Sequence, residues 1–245
     1  MDSVQQWLQK QAEGIGITLS ERQLDQFETY YRLLVEWNER MNLTGITERE
    51  AVYEKHFYDS LTVSLALDMK GADSLADIGS GAGFPGIPLK IAYPQLRITI
   101  VDSLAKRIRF LEEVAAKLQL NDVTCVHGRA EDIARLPVHR DRYAIVTARA
   151  VARLAGLNEL CLPFARPDGS FIAMKGSDLT NELEESRFSL QKLNAQLEDV
   201  KRLELPIERS ERHLVVIRKN GPTPKAYPRK AGVPLKTPLL ATSNG

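Results

Sequence analysis

The feature that most restricts how this chain can fold is the stretch DIGSGAG, residues 77–83, where a short apolar run ends in an acidic residue and glycines recur at 79, 81 and 83. A fourth glycine follows at 86. Residues without a β-carbon reach positive φ at little cost and let a ligand lie against the main chain. A loop of this kind belongs where a strand feeds it and a helix leaves it, as in an open parallel sheet that binds ligands beyond the carboxyl ends of its strands. The surrounding sequence supplies that sheet. Short β-rich runs at 75–78, 97–102, 123–127, 143–147 and 170–174 alternate with helical stretches such as 104–120. This is the pattern of a parallel sheet with helices on both faces. A charged helix over 181–197 then leads to two closing strands, 201–205 and 213–218.

Residues 1–68 read as a small helical subdomain in front of the α/β domain at 69–219. Ser20 and Gln23 form a capping box, and Leu24, Phe27, Tyr31, Leu34 and Met41 recur at helical spacing, predicting a core stripe. A second helix is expected from Glu48 through His56 to Leu67. Beyond Lys219, prolines recur every few residues, so 220–245 should form neither helix nor central strand and should run as an extended tail, mobile or against the surface. No apolar run approaches the roughly 20 residues that span a bilayer, and the polar start Met1–Lys10 lacks a signal-peptide core, so a soluble cytoplasmic protein is expected. Neither Cys125 and Cys161 nor the four histidines show metal-ligand spacing, and no metal is expected. Charge is polarised: residues 1–60 carry eleven Asp/Glu against six Lys/Arg, and 201–245 carry ten Lys/Arg against three Glu. The basic C-terminal segment fits a polyanionic partner or, equally well, a solvated tail.

Two nucleotide cofactors compete for the glycine loop. A dinucleotide fingerprint, GxGxxG, would start at the strand end, but Phe84 stands where its third glycine should fall. The shifted set Gly81, Gly83 and Gly86 begins two residues late and places Pro85 where the helix must start. Asp77, two residues before Gly79, points the other way. An ionised carboxylate suits the ammonium and sulfonium of S-adenosylmethionine better than it suits a pyrophosphate. The residues thus favour S-adenosylmethionine, cradled by Asp77, Gly79, Gly81 and Gly83, with a nicotinamide-dependent oxidoreductase as the alternative. Asp102, ending the second strand, is placed to accept hydrogen bonds from ribose hydroxyls. Ala130 and Glu131, after the third strand, are placed to border an adenine, although Glu131 is equally well explained as a helix-start acid.

The segments DIGSGAGFPGIPL, VDSLAKRIRFL, GRAED, TARAVA, MKG and ERHLVVI, in this order, together with the earlier EWNERMNLTGI and KHFYDSL, resemble the bacterial RsmG (GidB) family. The likeness covers roughly residues 24–219. It implies a class I S-adenosylmethionine-dependent methyltransferase fold, Rossmann-like, with a mostly parallel seven-stranded sheet and an antiparallel last strand. It also implies methylation of guanine N7 in 16S rRNA of the small ribosomal subunit, in the cytoplasm. By this resemblance Gly79, Phe84, Ala130, Glu131 and Arg149 contact the cofactor. Phe84 replaces a smaller aliphatic residue of some members, so its backbone rather than its ring is expected to matter. Locally, Asn38, Asn42 and Thr44 are capping and turn residues; the resemblance implies that they face the cleft with His56 and Asp59.

The chemistry asks little of the protein. Guanine N7 carries an in-plane lone pair and no proton, so attack on a sulfonium methyl group needs no general base. Catalysis reduces to alignment and exclusion of water, and no Ser/His/Asp or Cys/His set is required. Guanine O6 and N7 are both acceptors, so Arg149, at the carboxyl end of the fourth strand, is expected to hold O6. The target base must be unpaired or extruded. Lys106, Arg107 and Arg109 after the second strand, with Lys175, Arg212 and His213, are the expected RNA contacts. A non-catalytic RNA-binding module is the third reading. Oligomeric state leaves no mark in the sequence, and a monomer is expected.

Overall fold

Two capped helices open the chain in the computed structural model, which describes residues 1–149, 152–176 and 179–241. Ala150 and Val151 of the TARAVA segment and residues 242–245 of the tail lie outside the described residues. Helix α1 (Ser3–Gly14) starts at Asp2, whose carboxylate accepts the Val4 and Gln5 N–H groups. Helix α2 (Glu21–Asn38) starts at Ser20, with the expected capping box closed by Gln23. The buried face of α2 runs through Leu24, Phe27, Tyr30, Leu33 and Leu34. Tyr31 and Met41 were expected in this stripe. The stripe centres on Tyr30; Tyr31 and Met41 pack partly buried against the same core, Tyr31 on the rim with its hydroxyl donating to the Thr47 carbonyl and Met41 beyond the helix end. The single helix expected over 48–67 is interrupted: α3 (Arg49–Val52) passes into a π-helical turn (Tyr53–Tyr58), then α4 (Asp59–Leu61) and a 3₁₀ turn (Thr62–Leu65). Such wide turns shift the phase of the residues they contain. This one carries His56 and leads into Asp59, both buried.

The sheet follows: β1 (Ser74–Ile78), α5 (Gly86–Ala92), β2 (Arg97–Asp102), α6 (Ala105–Lys117), β3 (Val123–His127), α7 (Ala130–Ile133), β4 (Tyr143–Arg149), α8 (Leu154–Cys161), β5 (Ala165–Lys175), α9 (Thr180–Lys192), β6 (Ala195–Glu204) and β7 (Glu211–Lys219). Its strand order is β3-β2-β1-β4-β5-β7-β6. Strands β1 to β5 pair in parallel, and β7 inserts antiparallel between β5 and β6. The last helix is shorter and its strand earlier than expected. Asn194 adopts φ +53°, the left-handed conformation that ends helices and that asparagine tolerates, so 195–197 join β6. One core lies between the sheet and α1, α2, α5 and α6, including Leu8, Phe27, Ile98 and Leu111. The other lies under α8 and α9, with Val146, Leu157, Leu160 and Leu190. The N-terminal helices therefore share their core with one face of the sheet.

The parallel registers bring the strand ends to one edge. Asp77 pairs with Thr147 and Ile78 with Val101, so the loop after β1 sits between the ends of β2 and β4. Arg149 pairs with Met174, and Lys175 with His213, extending that edge. The tail departs from expectation in one respect: Val233–Lys236 forms one helical turn, α10, with Pro234 in its first turn. There the missing N–H would have no helical partner anyway. Among the described residues no helix is long and apolar enough to cross a membrane.

Candidate active site

Beneath the glycine loop, Asp77 is fully buried. Its Oδ2 accepts the Gly86 N–H at 2.9 Å and the Ser80 hydroxyl, and its Oδ1 accepts the Thr147 hydroxyl at 3.0 Å. Burial pushes its carboxyl above the ordinary range, against the pull of these hydrogen bonds. Asp77 lines neither recess of the site. The expected direct contact with a cationic ligand is thus corrected: the carboxylate braces the loop from below, its oxygens engaged by loop and sheet.

The glycines divide by role. Gly79, Gly81 and Gly83 all hold positive φ, at +68°, +62° and +101°. A β-carbon on Gly81 would meet nothing within 4 Å, so this main chain faces open cleft. On Gly83 it would lie 2.8 Å from a Leu111 methyl and 2.9 Å from Ile87, and would collide with the Tyr30 hydroxyl. Gly83, expected against the ligand, instead lets α2 approach, and the Tyr30 hydroxyl there bonds the Ala82 carbonyl. Gly86 is pressed on Asp77, its β-carbon position 2.9 Å from Oδ2. Two glycines of the shifted GxGxxG therefore serve packing.

Above the loop lies a cleft of about 410 Å³ bounded by Gly79–Ala82, Phe84, Asp102, Ser103, Thr44, His56 and Arg149. Asp102 is held in place, its Oδ2 accepting the Gly81 N–H at 3.0 Å and its Oδ1 the Leu104 N–H at 2.9 Å. Arg107 approaches Oδ2 at 3.4 Å and also lines the cleft. Asp102, Gly79 and Ser103 continue into a smaller recess of about 130 Å³. Its walls are Ile78, Val101 and Leu160, with Ala130, Glu131 and one residue of the C-terminal segment. A polar edge beside apolar walls suits a ribose joined to a purine.

At the other end of the cleft, Phe84 is a platform. His56 stacks on its ring at 4.5 Å between centroids, and the Arg149 guanidinium lies over it at 4.8 Å. Tyr30 packs at 5.4 Å. The expectation that only the backbone of Phe84 matters is therefore corrected, because its ring joins the loop to the N-terminal helices. Arg149 Nη1 donates to the Lys55 carbonyl at 3.0 Å and to Asp59 Oδ2 at 3.2 Å. In the tautomer these contacts require, His56 Nδ1–H donates to the Lys55 carbonyl at 3.0 Å and Nε2 accepts from the Thr44 hydroxyl at 2.8 Å. Burial and the neighbouring Arg149 push the imidazole down to about 3. His56 is a neutral contact at physiological pH, not a titrating acid or base.

This depression has a measurable consequence for stability. An unfolded imidazole titrates near about 6.5, and the folded one resists protonation, so its contribution is intact above that pH and is lost as pH falls toward about 3. Asp59 and Asp77, raised by burial, contribute with the opposite sign at lower pH. The urea midpoint of the native chain is expected to fall more steeply below pH 6.5 than that of His56→Gln. Equal slopes would show that His56 is not held neutral.

A second recess of about 360 Å³ adjoins the first through His56 and Arg149 and is lined further by Ile46, Asp59, Met174, Lys175 and Arg212. Asp59 Oδ1 is buried there without a hydrogen bond among the described residues, 3.4 Å from Arg212 Nε. Other expected residues lie elsewhere. Asn42 is exposed and lines neither recess; its neighbours Leu43 and Thr44 line the cleft because Asn38 Oδ1 accepts both their N–H groups at 2.8 and 2.9 Å. Lys175 is tied to Glu182 at 2.7 Å and to the Ala152 carbonyl, and buried His213 is satisfied by the Gly176 carbonyl and Glu211. Neither is presented to a phosphate backbone as expected. Lys106 and Arg109 are exposed on α6, the helix whose Arg107 lines the cleft. Ser80, Ala82, Ser103 and Leu43 were not anticipated; the first two lie between the glycines, which was the available signal, while Leu43 arrives by a turn that has none.

A family model described as GidB, rRNA small subunit methyltransferase G, matches residues 23–215. A Staphylococcus carnosus protein named ribosomal RNA small subunit methyltransferase G is 53% identical over 236 residues, covering 96% of this chain and 98% of its own. A Bacillus cytotoxicus protein of the same name is 54% identical over 224 residues, covering 91% and 94%. Among solved structures, a SAM-dependent O-methyltransferase from Thermotoga maritima superposes with a TM-score of 0.50 at 20% identity, over 78% of this chain and 72% of that one. A SAM-dependent methyltransferase from Aquifex aeolicus gives a TM-score of 0.50 at 15% identity, over 68% and 92%. At these identities the two structures establish the fold alone.

Proposed function

The chain belongs to the GidB family of rRNA small subunit methyltransferases, and from that premise we propose that it transfers the methyl group of S-adenosylmethionine to N7 of a guanine in 16S rRNA. The observation that carries this reading is the meeting of two recesses at Arg149 and His56, one fitted to a nucleoside and the other to a base rich in acceptors. S-adenosylmethionine supplies an activated methyl group on a positively charged sulfur. The residues present fit it: the bare main chain at Gly81 leaves open space, Asp102 is aligned for ribose hydroxyls, and Ala130 and Glu131 border the purine recess.

The chain's own contribution is orientation. The second recess takes the guanine, where Arg149 and Arg212 present N–H donors to O6. Asp59 Oδ1, buried and without a hydrogen bond among the described residues, accepts from the guanine amino edge. Neutral His56 adds no charge against the cationic donor, and its ring with Phe84 and Met174 screens the reacting atoms from water. No residue needs to remove a proton from N7 for attack to begin. Outside the recess, Lys106 and Arg109 meet phosphates of the surrounding RNA. The setting is the cytoplasm, the substrate the small ribosomal subunit, and the acting species a monomer.

The test is transfer from radiolabelled S-adenosylmethionine to small subunits prepared from cells lacking this protein, followed by nucleoside digestion. Label is expected in 7-methylguanosine from 16S rRNA, with subunit affinity falling as salt rises. Label in another nucleoside, or thermal stabilisation by NAD and not by adenosylhomocysteine, would overturn the reading.

A further inference from the structure

The segment after β7 is fastened to the molecule at several points. Arg229 grips the fully buried Glu159 of α8 with both arms, Nε to Oε1 at 3.0 Å and Nη2 to Oε2 at 2.6 Å. Its Nη2 also donates to the Thr237 carbonyl at 2.8 Å, folding the tail on itself. Arg140 donates to the carbonyls of Thr223, Pro224 and Tyr227 at 3.0, 3.1 and 2.9 Å. Gly156 on α8 admits the last turn closely: a β-carbon there would lie 3.1 Å from both the Pro234 carbonyl and a Leu235 methyl. Charge-assisted, two-armed contacts of this sort fix geometry as well as adding stability.

Two contacts reach beyond fastening. Gly232, at φ +83°, aims its N–H at Glu131 Oε1 at 2.6 Å. The Glu131 carboxylate is buried on α7, a helix of four residues whose N-cap Arg129 supplies no side-chain bond. Leu235 lines the recess of about 130 Å³ together with Ile78, Val101 and Leu160, and it remains 46% exposed. A flat ring entering the recess therefore meets, beside the apolar groups of the sheet and α8, a side chain that the tail brings from the far end of the chain.

Resting on the methyl-donor reading above, we infer that the C-terminal segment is a strap that completes the cofactor site. Leu235 forms the outer wall of the purine recess, and the Gly232 N–H orients Glu131 toward it. Both are positioning residues that set affinity for the nucleoside half of the donor and leave RNA recognition to the opposite end of the cleft.

The full-length chain and its Leu235→Ala and Leu235→Met variants are compared by calorimetric titration with adenosylhomocysteine, by KM for small subunits and by Tm without ligand. Because Leu235 is half-exposed, its truncation should move the ligand-free Tm little. Leu235→Ala is expected to weaken adenosylhomocysteine about three- to tenfold, as losing part of one apolar wall implies. Leu235→Met should restore the native Kd, and KM for the subunit should not change in any variant. An unchanged Kd in Leu235→Ala, or a subunit KM that rises in step with it, overturns the strap. A native chain that binds no adenosylhomocysteine overturns the donor reading itself, and the strap falls with it.

Discussion

Replacing Arg149 by alanine is expected to lower methyl transfer by about 10²–10³-fold, the usual loss when one well-placed donor to the reacting group is removed. Arg149 is where the two recesses meet, with its guanidinium over Phe84 and its Nη1 shared between Lys55 and Asp59. The same substitution should destabilise the fold. Among the described residues it leaves Asp59, buried to 3% exposure, with only Arg212 at 3.4 Å for compensation. Breaking a buried pair costs roughly 3–5 kcal/mol, and the remaining arginine places this case at about the lower end. Stability and catalysis separate in the double variant Arg149→Ala/Asp59→Asn, which removes the orphaned charge without restoring the donor. Urea unfolding should return most of the way to the native midpoint while single-turnover methyl transfer stays low. Recovery of turnover in the double variant would mean that Arg149 only neutralises Asp59.

The second large effect separates two glycines that look alike in the sequence. Gly83→Ala should destabilise the protein by about 3 kcal/mol or more, since overpacking typically costs 1–3 and left-handed backbone without glycine another 1–2. Its new β-carbon would fall 2.8 Å from Leu111 and 2.9 Å from Ile87, between tightly packed elements that cannot yield cheaply. For a chain of this size that corresponds to a fall in Tm of roughly 6–12 °C. Gly81→Ala has the same backbone requirement, φ +62°, but nothing within 4 Å of the added carbon. It should cost only about 1–2 kcal/mol in stability. Its larger effect should be on adenosylhomocysteine, because the added methyl group stands in the cleft. Thermal unfolding and calorimetric titration of the two variants check this; equal losses of Tm would contradict the division of roles.

Residue patterns suffice for some of these features and not for others. The alternation of strands and helices was legible because side-chain periodicity and turn chemistry are local properties, as was the capping box at Ser20. So were the glycine loop and Asp102, since a strand end followed by positive-φ residues has few other uses. The pattern could not say which glycine faces solvent and which faces Tyr30, because that depends on a helix some fifty positions earlier in the chain. The orientation of Asp77 was hidden for the same reason. Its partners Ser80 and Gly86 are near in sequence, but Thr147 comes from the neighbouring strand, and together they turn the carboxylate away from the ligand space.

Sequence alone therefore determined the layered α/β architecture, the glycine loop at the strand edge and the placing of Asp102 beside it, all set by interactions within a few residues along the chain. Only the tertiary structure decided that Phe84 is a stacking platform, that His56, Asp59 and Arg149 form one knot, that His213 and Lys175 are spent inside the protein, and that the tail reaches Glu131. Each of those outcomes depends on groups from distant segments competing for the same buried donors and acceptors. Burial makes that competition strict, since a polar group out of water must find a partner, and only the assembled fold determines which partner is within reach.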